Sequence, residues 1–97
     1  VVKHIRDIGN MELPFVENIV NENTFIRKFY QNTDIGEFVW HRDREDRIIE
    51  TLHETNWMIQ IDNQLPKKIE GKIHIPKGLY HRLIKGTGNL DIKLQKI

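Results

Sequence analysis

No cysteine occurs among the 97 residues, so neither a disulfide nor a thiolate ligand is available. Any metal ion must be held by nitrogen and oxygen donors. Long apolar runs are missing too: none approaches the roughly 20 residues that a membrane-spanning helix requires, and Val1 to Asp7 has no signal-peptide core. Neither sign of charge dominates. Fifteen Lys and Arg stand against fourteen Asp and Glu, interspersed along the chain, which argues against nucleic acid or a membrane as partner. These absences leave a soluble cytoplasmic protein as the expectation. At this length a second core could not bury enough apolar surface, so residues 1–97 read as a single domain.

Helical periodicity is confined to one place. Leu13, Val16, Ile19 and Val20 recur at helical spacing and Pro14 is tolerated in a first turn, which predicts one short helix over 11–22. From Thr24 onward the signal is strand. Thr24 to Gln31, Glu37 to Arg42, Arg47 to Leu52, Trp57 to Asp62, Lys67 to Glu70, Lys72 to Ile75, His81 to Ile84 and Leu90 to Lys96 are short runs rich in β-branched, aromatic and Leu residues. Turn residues separate them, among them Asn32-Thr33-Asp34 with Gly36, Asp62-Asn63-Gln64, Pro76-Lys77-Gly78 and Gly86-Thr87-Gly88-Asn89. Many short strands joined by tight turns predict an all-β barrel or sandwich over 24–97.

His41 and Asp43 lie two apart at the end of a predicted strand and so share a face. An imidazole nitrogen and a carboxylate oxygen side by side supply two metal ligands, and His81, at the start of a later strand, is the candidate third. Two histidines and one carboxylate leave coordination positions open, which suits Fe(II) and also Mn, Ni, Co or Zn. The opposing reading of the tripeptide is a solvated ion pair on a surface strand, and the run Arg42 to Arg47 taken alone reads as a charged loop.

The surrounding pattern shifts the balance. Gly36-Glu37-Phe38-Val39-Trp40-His41-Arg42-Asp43 and Gly71-Lys72-Ile73-His74-Ile75-Pro76-Lys77-Gly78-Leu79-Tyr80-His81 resemble the two motifs of the cupin superfamily. The second is the more specific: a glycine, a hydrophobic strand, a PxG turn and then a histidine. The first is degenerate, with Asp43 where a second histidine is usual and Arg47 at the usual glutamate position. The resemblance covers Gly36 to about Lys85 and implies a double-stranded β-helix, or jelly-roll barrel, often dimeric, with one divalent metal inside. An HxD with a distal histidine is also similar to the ligand set of iron and 2-oxoglutarate dioxygenases.

Arg47 cannot bind a cation; its guanidinium is suited to pairing with Asp43 or Asp46, or to gripping an anionic substrate. Asp46 becomes a fourth ligand only if the strand bulges. Gln60 is a substrate hydrogen-bonding group if its face of the strand turns inward, which periodicity alone does not decide. His74 reads as solvent-facing, His53 begins a polar turn, and His4 has no partner in its own segment. Phe38 and Trp40, opposite His41 in parity, read as packing against the helix or a second subunit.

The leading expectation is a metal-dependent enzyme acting on a small polar or anionic metabolite, an Fe(II) oxygenase or a lyase or isomerase, with Arg47 and Gln60 as substrate-handling residues. The rival is a non-enzymatic ligand-binding or sensor module. A homodimer pairing sheets through Thr24 to Gln31 or Leu90 to Lys96 is compatible with both and would help so small a core.

Overall fold

The structure, a computed structural model, describes residues 15–31 and 39–97. Eight strands follow in chain order: β1 (Phe15–Asn21), β2 (Thr24–Phe29), β3 (Arg47–Thr51), β4 (Met58–Ile61), β5 (Lys67–Lys68), β6 (Lys72–Ile75), β7 (His81–Ile84) and β8 (Leu90–Lys96). They form a five-stranded sheet in the order β1-β2-β8-β3-β6 and a three-stranded sheet in the order β5-β4-β7, with every pairing antiparallel.

Alternation of side chains turns one face of each strand inward. Leu90, Ile92 and Leu94 of β8, Ile73 and Ile75 of β6, and Ile59 and Ile61 of β4 are buried, while their intervening neighbours are not. With Phe29, Ile49, Ile69, Leu83 and the wholly buried Trp57, these residues fill the space between the sheets. The Trp57 indole N–H donates to the Gly88 carbonyl at 3.0 Å, so its one polar atom is satisfied inside. Truncating any of these large side chains to alanine is expected to cost about 2–5 kcal/mol.

Over the described residues 15–21 the expected helix does not form. Residues 11–14 lie outside the described part, and Phe15–Asn21 is an extended strand paired with β2, from Phe15 opposite Phe29 to Ile19 opposite Phe25 and then Asn21 opposite Thr24. A register shift between Ile19 and Asn21 and an Asx turn, in which the Asn23 N–H donates to Asn21 Oδ1 at 2.9 Å, close the hairpin. The helical spacing of Val16, Ile19 and Val20 does not reflect burial, since all three are exposed. Phe15 does pack, against Phe29, with ring centroids 5.3 Å apart.

The expected subunit contacts also need correction. β2 and β8 each have strands on both sides, so neither Thr24 to Gln31 nor Leu90 to Lys96 offers an open edge for sheet pairing. Among the described residues the edges of the larger sheet are β1 and β6.

Candidate metal centre

The histidines are brought together by the backbone. His41 and His81 form an isolated antiparallel bridge beside β7: the His41 N–H donates to the His81 carbonyl at 3.0 Å, and the His81 N–H to the His41 carbonyl at 2.8 Å. Directly opposed residues project to the same face. The two imidazoles meet edge to face with centroids 4.4 Å apart. Asp43, two residues after His41, returns to that face, and the PxG turn fixes its backbone: the Gly78 N–H donates to the Asp43 carbonyl at 2.9 Å. Gly78 has φ of 77°, a conformation open to glycine and strained for other residues, which explains why this turn needs it. The two motifs are therefore joined at Asp43.

Ligand atoms of His41, Asp43 and His81 lie within 4.8 Å of one another. His41 Nδ1 is 2.9 Å from the Val39 carbonyl, and His81 Nδ1 is 3.0 Å from the Leu79 carbonyl. A carbonyl only accepts, so Nδ1 carries the hydrogen in both rings, and in the neutral imidazoles Nε2 is left with the lone pair. Fixing the tautomer through the second nitrogen is the arrangement that metal-binding histidines use.

His81 is 5% exposed. Its Nε2 sits 3.3 Å from Asp43 Oδ2, and that oxygen is buried without a hydrogen-bond donor. Two lone-pair atoms thus face each other inside the barrel. Either a second proton on the ring or a cation between them removes the conflict, and the donor set fits a cation. Burial pushes the Asp43 pKa up, but without a cation a hydrogen bond from His81 carrying its second proton, the Arg47 guanidinium and the charges of protonated His81 and His41 outweigh burial and hold it below its ordinary 3.8. It is a carboxylate at neutral pH, as a ligand must be.

Arg47, at the start of β3, points inward and pairs with Asp43: Nη1 is 3.2 Å from Oδ1, and Nε and Nη2 reach Glu45 Oε1 at 3.1 and 3.0 Å. Of its sequence alternatives the structure realises pairing with Asp43. A partly open cavity of about 30 Å³ adjoins these groups, lined by Asp43, Arg47, His81, Arg27 and the apolar side chains of the two sheets. Volume of that order admits an ion with a water or two.

Gln60 is not brought to the centre. Because Ile59 and Ile61 take the buried face of β4, Gln60 faces the other way, accepting from Arg82 Nε at 3.0 Å and donating to the Gln64 carbonyl at 3.1 Å. Trp40 lies on that outer side, its ring 5.1 Å from the Arg82 guanidinium carbon. Asp46 is likewise elsewhere, accepting from the Lys77 N–H at 2.7 Å and contacting His74. Sequence reasoning missed Arg27, an inward residue of β2 held by Glu17 and stacked 4.2 Å over Phe15. Strand parity with Phe29 would have placed it inside.

No family model matches the chain, and no curated protein does. Solved structures do. A mannose-6-phosphate isomerase-like protein of Ralstonia eutropha superposes with a TM-score of 0.61 over 98% of this chain and 97% of its own, at 13% identity. A cupin domain of Bordetella pertussis gives 0.58 over 91% and 99%, at 17% identity. The DMSP lyase DddQ of Ruegeria pomeroyi gives 0.58 over 87% of this chain and 47% of its own, at 10% identity. Two antiparallel sheets closed around a His/Asp/His cluster and superposing on these proteins give the chain the cupin fold.

Proposed function

We propose that this chain is a cytoplasmic metal-dependent cupin enzyme that holds one divalent cation through His41, Asp43 and His81 and acts on a small anionic metabolite as a lyase or isomerase. The observation that carries the reading is Asp43 Oδ2, buried without a donor and 3.3 Å from the lone-pair nitrogen of His81. Lyase and isomerase chemistry is preferred to oxygen activation because structural neighbours bear those two names. A cation bound there would act as a Lewis acid, polarising a substrate oxygen at an open coordination position.

The chain's own residues do the rest. Val39 and Leu79, through their carbonyls, orient the two imidazoles. Arg47 fixes the Asp43 carboxylate. The apolar walls from Ile49, Ile59, Ile75 and Leu83 limit water around the reacting atoms. The test is turnover by protein reconstituted with Fe(II), Mn(II), Ni(II), Co(II) or Zn(II) on a panel of hydroxy acids, keto acids and sugar phosphates. Activity with one metal that vanishes in Asp43→Ala supports the reading; no turnover by any reconstituted form sinks the enzymatic part.

The small cavity, with room for an ion and a water or two, favours a second reading, a binding or sensor module that holds the cation without transforming a substrate. Ligand-induced thermal shift without turnover would select it. A homodimer belongs to either reading, and its sheet contact is proposed at β1, where Val16, Ile19 and Val20 are exposed along an edge strand.

A further inference from the structure

We infer that Arg47 sets the charge of this centre so that a divalent cation and a small carboxylate anion bind it together, an inference that rests on the metal reading above. Arg47 Nη1 occupies Asp43 Oδ1 at 3.2 Å, while Oδ2 faces His81 without a donor. The carboxylate is thereby divided into one oxygen for the guanidinium and one for a cation, and its orientation is fixed. Arg47 is itself anchored by Glu45, which also lies 3.6 Å from Lys96 Nζ, and its side chain is only 14% exposed.

The charge balance follows from these contacts. As ligands the His41 and His81 rings would be neutral; the charges of Asp43 and Glu45 are matched by Arg47 and Lys96, and Arg27 in the cavity wall is matched by Glu17. A divalent cation on Oδ2 therefore brings charge that the protein does not compensate into a cavity whose other walls are largely Ile and Leu. Charge in such surroundings is costly unless a counter-charge accompanies it. A small anion at an open coordination position supplies it, and a carboxylate no larger than acetate, replacing bound water, is what so small a space beside Ile59, Ile75 and Leu83 admits. Coupling of this kind is reciprocal: the anion tightens the cation by the factor that the cation tightens the anion.

The test is calorimetric titration with Mn(II) of native protein, Arg47→Met and Arg47→Lys, at equal ionic strength in sodium perchlorate and in sodium acetate. Acetate is expected to tighten Mn(II) binding to the native protein roughly tenfold. Arg47→Met is expected to bind Mn(II) about tenfold more tightly than native in perchlorate and to lose most of the acetate gain, while Arg47→Lys keeps the native pattern. Should the methionine variant not fold, Arg47→Gln, which retains a donor to Asp43 without the charge, carries the same expectation. Uncharged variants that bind Mn(II) no more tightly than native in perchlorate, or that keep the full acetate gain, overturn the inference alone. Native protein that binds no Mn(II) in either medium overturns it together with the metal reading.

Discussion

His81 with Asp43 and His74 with Asp46 are the same chemical pair at the same 3.3 Å, yet their surroundings assign them different work. The side chains of the first pair are 6% and 9% exposed, and those of the second 54% and 44%. Asp46 spends its other oxygen on the Lys77 N–H and so clips the PxG turn to the start of β3. Asp43 gives Oδ1 to Arg47 and leaves Oδ2 in the interior without a donor. Strand parity and the supply of donors, more than residue type, separate a candidate metal centre from a surface clip.

The largest effect that sharpens this contrast is expected from paired alanine substitutions read by cation titration. Asp43→Ala should weaken divalent cation binding by more than about 100-fold, beyond the range typical of residues that only support a ligand. Asp46→Ala should leave it unchanged and slightly lower the melting temperature. Equal losses in the two variants would erase the distinction.

Acid titration followed by carboxyl NMR probes the same contrast more finely. Burial works against the Asp43 carboxylate, but His81, Arg47 and His41 lower its pKa on balance; the Lys77 N–H, followed by His74, lowers that of Asp46. A depressed folded-state pKa adds stability that is fully present above the unfolded value, here 3.8, and is lost as pH falls through the folded one. Both residues should therefore titrate below 3.8 without added metal. Saturating Zn(II) should push Asp43 lower still and leave Asp46 where it was.

The smallest effect is expected at a third pair, His53 with Asp91, at 3.1 Å on the surface. His53→Ala should change stability by about 0.5 kcal/mol or less in chemical denaturation and leave cation affinity intact. A loss of cation binding there would mean that histidine pairs outside the barrel also contribute.

The strands from Arg47 onward were legible because β6 and β8 alternate cleanly, with Ile73 and Ile75, and then Leu90, Ile92 and Leu94, turned inward. The convergence of His41, Asp43 and His81 was legible from two-residue parity together with the resemblance carried by the motifs around them and the glycine-dependent turn. The β1 strand was not. Its Val and Ile residues fit helical spacing as well as strand, and pairing with β2, a non-local event, decided between them. Gln60 was left open because only burial of Trp57, Ile59 and Ile61 on the alternate face settles which way β4 turns. The roles of the Val39 and Leu79 carbonyls have no signature in residue identity, since any amino acid offers the same acceptor.

Anomalous scattering from crystals grown with Zn(II), without chelator, and collected across the zinc absorption edge tests the metal centre most directly. The expected result is one interior peak about 2.0–2.2 Å from Nε2 of His41, Nε2 of His81 and Oδ2 of Asp43. Crystals with no peak there, and with the His81 ring donating a proton from Nε2 to Asp43, would contradict it.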